Sequence, residues 1–185
     1  MYSVKNQQTH YDFSNLTLPS DAIVILDLDY TVWNAYIEFN VEPFTPIYQG
    51  DRIKSILDKH NDRVRINAAI YDLFDVCERS NVPVCVASLS PATKTAHAAL
   101  ADLEFSPRLK HIVARSSPSK NKIAHFEEIF KALNVSLDSY DKVLFFDDEV
   151  GNFKLMTAKG CTVVHCQYGL SQKNVYDGIL EFNSK

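Results

Sequence analysis

Two short acidic stretches hold the residue types that phosphate chemistry needs. In ILDLDYTVW, an apolar run over residues 22–26 ends in Asp27 and Asp29, with Thr31 close behind. In VLFFDDE, residues 143–149, a second apolar run ends in Asp147 and Asp148. Such runs read as buried parallel strands, and open α/β sheets take ligands at the carboxyl ends of their strands. In one sheet, the carboxylates would converge at one edge. Like charges so close are costly without a cation or shared protons. Oxygen ligands suit Mg²⁺, which usually takes one or two carboxylates plus waters and substrate phosphate. On spacing alone, Asp-x-Asp is equally a polar exit from strand to loop, because short acidic motifs recur by chance. The partners supplied by the rest of the chain decide between the two.

Phosphoryl transfer needs a nucleophile, a metal to neutralise phosphate oxygens, and fixed donors for the remaining charge. Asp27 can serve as an oxygen nucleophile that forms an aspartyl phosphate. Asp29 can give a proton to the leaving alcohol and later take one from water, which requires a raised pKa, as an acidic cluster provides. Ser88, at the end of VPVCVAS, can donate to a phosphate oxygen, and Lys120 or Lys122 can supply fixed positive charge. Each has a plainer reading. Ser88 can merely cap a turn, Ser90 a helix, and Lys122 can be an exposed first-turn lysine, although a cation there opposes the helix dipole. Asp148 can support the site from behind. His165, inside an apolar strand, reads as a satisfied core histidine, and Trp33 and Tyr36 as core or as a wall for substrate.

The elements that must position these groups alternate in type. Strands are expected at 22–29, 82–87, 111–114, 143–148 and 162–166. Helical apolar spacing marks 66–79, the stretch from Pro91 through Leu103, 123–133, 150–159 and 171–182. Ser90-Pro91 resembles an N-cap with proline in the first turn, and Gly160 is placed to close a helix. This alternation implies a parallel α/β sheet. Residues 34–65 are the least regular, broken by Pro43, Pro46 and Gly50, and predict a short flap of one or two hairpin strands rather than a domain. The charged run 51–65 reads as a solvated face, with steering of a phosphate substrate as the lesser alternative. Residues 1–20 read as an extension that packs loosely or is disordered, leaving one domain over 21–185.

At 185 residues and 46% hydrophobic content, the chain is long enough for one domain with a full core. A net charge of −4 gives no footprint for nucleic acid. The four cysteines, Cys77, Cys85, Cys161 and Cys166, form no CxxC pair and suit buried free thiols. The first residues lack the basic and apolar regions of a secretory signal, and no run approaches a membrane span. A reducing, cytoplasmic setting is expected, with the nucleus as the other compartment, and no membrane partner.

With those residues in place, the chain resembles the haloacid dehalogenase (HAD) superfamily of aspartate-nucleophile phosphatases, and within it the magnesium-dependent phosphatases, also described as protein-tyrosine phosphatases. DLDYTVW (27–33) resembles the first motif, Ser88 the second, Lys122 in SKNKIAHFEEI the third, and FFDDEVGN (145–152) the fourth. The Lys-Ile-x-His-Phe-Glu run places the third-motif lysine at 122, not 120. The resemblance implies that Asp27 is nucleophile and metal ligand, and that Asp29 is the acid/base and binds metal through its main-chain carbonyl. It further implies that Asp147 completes the Mg²⁺ ligands, that Asp148 supports them, and that Ser88 and Lys122 bind the substrate phosphate. The fold implied is a Rossmann-like three-layer fold with a five-stranded parallel sheet, no large cap, and a short flap after strand one. Leu89-Ser90-Pro91 and the loop RSSPSKN (115–121) depart from the family's usual sequence beside the phosphate. The function expected is hydrolysis of phosphomonoesters, on a phosphotyrosyl protein or a phosphorylated small molecule such as a sugar phosphate. The rivals are a signalling module like a response-regulator receiver, or a non-catalytic scaffold on the same fold. A receiver has no use for an acid/base two residues after its phospho-accepting aspartate, and a scaffold needs none of these groups.

Overall fold

The computed structural model describes residues 11–185; residues 1–10 of the expected extension lie outside them. In chain order the strands are β1 (Ile23–Leu26), β2 (Thr45–Gln49), β3 (Arg52–Leu57), β4 (Arg63–Arg65), β5 (Val84–Ser88), β6 (His111–Ala114), β7 (Val143–Asp147) and β8 (Thr162–His165). The helices are α1 (Ala69–Ser80), α2 (Thr93–Asp102), α3 (Ile123–Leu133), α4 (Val150–Lys159) and α5 (Gln172–Asn183).

Five strands form one parallel sheet in the order β6-β5-β1-β7-β8. β1 lies at its centre, and all four of its residues are buried. Both faces of such a strand are covered, which is why its sequence is a continuous apolar run. Alternate residues serve opposite faces. Val24, Leu26, Val86, Leu144 and Phe146 pack against α1, α2 and α5 through Ile70, Phe74, Leu100, Val175 and Ile179. Ile23, Ile25, Cys85, Val143 and Phe145 pack against α3 and α4 through Phe126, Ile129, Phe130 and Met156. The result is the expected three-layer α/β arrangement. Register matters most for function: Leu26 pairs with both Val86 and Phe146, so Asp27, Asp147 and Ser88 emerge near one another at one edge.

Helix ends follow local chemistry. Gly160 closes α4 at φ 110°, where a side chain would be strained. Ser171 and Asn174 form a capping box on α5. Ser90 does not cap α2, contrary to expectation: the helix starts at Thr93, and Ser90 Oγ accepts only a 3.4 Å bond from the Ala92 N–H ahead of it. Thr93 turns its hydroxyl to the Ala114 carbonyl instead, 2.7 Å away.

Residues 34–65 build more than the expected one or two strands. β2, β3 and β4 form a three-stranded antiparallel sheet. Tyr71 of α1 pins it, donating its hydroxyl to the Ile53 carbonyl at 2.8 Å and accepting from the Ile53 N–H at 2.9 Å. The charged run lies on this sheet as a solvated face, with Arg52 paired to Asp72 and Asp75. Asp58 is the exception. It is buried, and accepts backbone N–H bonds from His60, Asp62 and Val41.

The described part of the N-terminal extension is not loose. Leu16 and Leu18 are buried in the core, and the rings of Tyr11 and Phe13 pack against Tyr176 of α5, tilted and edge-on, with centroids 5.4 and 5.9 Å away. The Leu18 N–H bonds Ser80 Oγ, and Arg79 donates to the Phe13 carbonyl. The apolar residues 11, 13, 16 and 18 are too sparse for a periodic signal yet enough to cover helix flanks. Among the described residues, no helix is long and apolar enough to cross a membrane.

Two tests follow from the packing. A Cβ at Gly178 would lie 2.5 Å from Val164 Cγ2, where α5 meets β8. Gly178→Ala is therefore expected to lower the urea midpoint, although helix propensity alone favours Ala by about 1 kcal/mol; Val164→Ala on top should restore it. A higher midpoint for the single variant would refute this close approach. For Asp58, burial pushes the carboxyl up, but the Val41, Asp62 and His60 N–H groups outweigh it and hold it below its ordinary value. A depressed folded pKa gives stability that is present above the unfolded value, about 3.9, and is lost as pH falls through the folded one. The stability gap between wild type and Asp58→Asn should thus be full at neutral pH and shrink below about pH 4, as read by urea melts across pH.

Candidate active site

The carboxyl edge of the sheet opens into a cavity of about 460 Å³ lined by Asp27, Asp29, Ser88, Lys120, Lys122 and Asp148, among others. Asp27 continues directly from β1, its N–H bonded to the Phe146 carbonyl at 2.9 Å. Asp147 and Ser88 are the last residues of β7 and β5, and Lys122 immediately precedes α3.

Lys122 is the centre of the arrangement. It is only 2% exposed. Its Nζ donates to Asp27 Oδ1, and to Asp147 Oδ2 at 2.6 Å. Burial lowers its pKa, but the charges of Asp27 and Asp147 more than compensate, so the ammonium is held above its ordinary value. The exposed first-turn reading of Lys122 is therefore excluded. Lys120 stays exposed at the mouth, in the left-handed region at φ 51°.

Asp27 is pushed up to about 8, first by burial and then by the charges of Asp147 and Asp148, with Lys122 opposing. Asp148 is itself raised by burial and by Asp147. One lysine thus faces an excess of carboxylates, a charge balance that a cation or a proton completes. Among the described residues, no group of three or more His, Cys, Asp or Glu side chains is arranged to hold a metal. The carboxylates gathered at this edge, with main-chain oxygen and water, form an all-oxygen donor set of the kind that suits Mg²⁺.

Asp147 is fully buried and fixed from one side: its Oδ1 accepts from the Glu149 N–H at 2.7 Å, and Asn152 Nδ2 donates to both oxygens at 3.2 and 3.3 Å. Asp29 is half-buried and fixed differently. Its Oδ1 accepts from Trp33 Nε1 at 2.7 Å and from the Ile37 N–H at 3.1 Å, which leaves Oδ2 for the cavity. Burial raises its pKa, against those two neutral donors, as an acid requires. Ser88 Oγ accepts from the Ser90 N–H at 3.3 Å, as a turn cap would, and the residue also lines the cavity.

Other expected residues serve the frame. Thr31 is buried and does not line the cavity; its carbonyl receives bonds from Asn67 Nδ2 and the Leu170 N–H. His165 bonds the Asp148 carbonyl at 2.8 Å, as a satisfied histidine should. Trp33 is core, yet its indole N–H also orients Asp29. Asn152 went unnoticed in the sequence. Its signal was its place on the first turn of α4, five residues after Asp147, where a side chain reaches back to the strand end.

The comparisons with known proteins point to one family. The acid phosphatase family model matches residues 18–185. A human protein named magnesium-dependent phosphatase 1 is 24% identical over 160 residues, covering 86% of each chain. A HAD-like hydrolase superfamily protein of Schizosaccharomyces pombe is 30% identical over 136 residues, covering 70% of this chain and 76% of that protein. A HAD-superfamily hydrolase from Ehrlichia chaffeensis shares the fold with a TM-score of 0.60 at 10% identity, over 91% of this chain and 99% of that one. The parallel sheet, the acidic edge with its buried lysine, and the match over nearly the whole chain together place this protein in the acid phosphatase family of HAD phosphatases.

Proposed function

We propose that this chain is a Mg²⁺-dependent phosphomonoester hydrolase that works through an aspartyl phosphate on Asp27. The observation that carries the reading is the contrast between its two cavity carboxylates. Asp27 is tied to a buried cation beside Asp147, whereas Asp29 is held by neutral donors on one oxygen only. Pairs of carboxylates in such different surroundings divide nucleophile from acid. The name of the human relative, a magnesium-dependent phosphatase, supports the metal.

Asp27, Asp147 and the Asp29 main-chain carbonyl would hold Mg²⁺, with Asp148 supporting them. Bound there, Mg²⁺ would neutralise phosphate oxygens and favour the ionised form of Asp27. Lys122 and Ser88 hold oxygens of the substrate phosphate. A carboxylate oxygen of Asp27 then bonds to phosphorus, the bond from phosphorus to the leaving oxygen breaks, and Asp29 gives that oxygen its proton. In the second half a water oxygen bonds to phosphorus, its proton passes to Asp29, and the bond from Asp27 to phosphorus breaks to release inorganic phosphate. The β2–β4 sheet is pinned to α1 and contributes no residue to the cavity lining. An open mouth suits a phosphotyrosyl side chain on a protein as well as a small phosphorylated metabolite.

Hydrolysis of p-nitrophenyl phosphate is expected to require Mg²⁺ and to vanish in Asp27→Asn. Asp29→Asn is expected to lose about 10²- to 10⁴-fold in kcat, with a larger loss on an alkyl phosphate, whose leaving oxygen needs the proton more. Turnover that survives Asp27→Asn would overturn the mechanism. Mg²⁺ binding without any turnover would favour a signalling or scaffold role.

The lysine has a separate signature in stability. Lys122→Met leaves Asp27 and Asp147 facing each other without their cation, and breaking a buried pair in this way costs about 3–5 kcal/mol. Urea unfolding in the absence of metal should show that loss, and Lys122→Met/Asp27→Asn should recover much of it. Equal loss in the single and double variants would show that the pair is not coupled.

A further inference from the structure

One buried, titratable side chain beside the site has no part in the chemistry above. His125 is fully buried and lies in the first turn of α3, three residues after Lys122. That spacing puts the two residues on one side of the helix start. Its Nε2 meets the Arg115 carbonyl at 2.8 Å. A carbonyl only accepts, so Nε2 carries the proton. Burial pushes the pKa of the ring below its ordinary value, helped by the charges of Arg115 and Lys122 and opposed by the carbonyls of Arg115 and Ser88. The ring is therefore a neutral donor at Nε2. Its Nδ1 is buried and has no hydrogen-bond partner among the described residues.

We propose that His125 is a positioning residue: it locks the start of α3 to the end of β6, and so sets the spacing of Ser88 and Lys122, the two donors for the substrate phosphate. This inference rests on the phosphatase reading of the same cavity. The bonds form a relay. The Ser88 carbonyl accepts from the Arg115 N–H at 3.1 Å, and the Arg115 carbonyl accepts from His125. One end of the relay carries the hydroxyl, and the other carries the ammonium. Asp27 and Asp147 hold the Nζ of Lys122, whereas His125 holds the backbone from which that side chain reaches. Between Arg115 and Lys122 the chain has little other hold, because Ser116, Pro118, Ser119 and Lys120 are exposed. Bonds from the Lys120 N–H to the Ser117 carbonyl and from the Ile123 N–H to Asn121 Oδ1 stay local to the loop and helix start. Arg115 also reaches α3 through an ion pair with Glu128, but that pair is exposed, and exposed pairs contribute little. A lysine at a helix start works against the helix dipole, so this turn needs an anchor from outside the helix. His125 supplies one without placing a second cation beside Lys122.

Inorganic phosphate, titrated by calorimetry at saturating Mg²⁺, reads the spacing of the two donors, and p-nitrophenyl phosphate reads turnover. His125→Leu fills the space without a donor, whereas His125→Gln can place an N–H near the position of Nε2. His125→Leu is expected to bind phosphate about two- to tenfold more weakly, the range set by one hydrogen bond. His125→Gln should recover most of that loss, and kcat should follow the same order. Ser88→Ala/His125→Leu should lose less than the product of the two single losses, because both residues belong to one relay. A histidine that only supports the core would lower the urea midpoint of His125→Leu and leave its phosphate affinity unchanged. That pattern, or a loss in His125→Gln as large as in His125→Leu, would overturn the proposal. If the wild type binds no phosphate, metal-free urea melts still report on the lysine. The loss caused by Lys122→Met should then shrink in the His125→Leu background. Such shrinkage would keep the positioning role and remove the phosphatase reading; an undiminished loss would remove both.

Discussion

A buried ammonium shared by two carboxylates holds the site together. Lys122 comes from the start of α3, Asp27 from the end of β1 and Asp147 from the end of β7, so one side chain ties a helix to two central strands. A charge 2% exposed survives only where its partners are as well placed as it is. That condition fixes the relative height of β1 and β7, which their ladder already sets through Leu26 and Phe146. Fold and site therefore reinforce one another: the register brings the carboxylates level, and the lysine penalises any shift from that register.

The main sheet was legible from residue pattern because its strands are buried on both faces. Continuous runs such as IVIL and VLFF admit few other readings once helical spacing lies between them. The candidate site was legible to the extent that its groups end those runs: Asp27 directly follows β1, and Ser88 and Asp147 close β5 and β7. What escaped depended on distant partners. Trp33 was open to either role until its indole N–H met Asp29, and Asn152 gained its meaning only from Asp147. Residues 11–18 have no period to reveal that Leu16 and Leu18 enter the core. Ser90-Pro91 matched a capping pattern, but the chain still had to pass the cavity before α2 could begin, and the local signal lost to that constraint.

Residues 34–65 show how an insertion can serve two ends of one molecule. Their middle and last parts build a sheet that Tyr71 fastens to α1, on the flank of the domain. Only Tyr36 and Glu38, in the first turn after β1, line the cavity. The sheet therefore adds core and surface without closing the mouth. Openness has a cost in solvent access, since water weakens every charge interaction it reaches. The structure limits that cost by depth: Lys122, Asp27 and Asp147 sit below the exposed rim, and only Asp29 and Asp148 are half-buried.

Depth in turn gives the two carboxylates of the cavity the different surroundings on which their proposed roles rest. Asp27 lies where burial and its acidic neighbours favour a proton, and its direct charged partner is Lys122. Adding positive charge at that edge turns it into an ionised oxygen facing the cavity, the form a nucleophile needs. Asp29 has no such charged partner in contact. Trp33 and Ile37 grip one oxygen with neutral N–H groups, and partial burial keeps the other inclined to hold a proton. The same positive charge that would ionise Asp27 acts less on Asp29, whose carboxylate points at Trp33 and Ile37 rather than at Lys122. Two residues of separation along the chain thus become two environments, and the proposed division of labour rests on which partners each one meets.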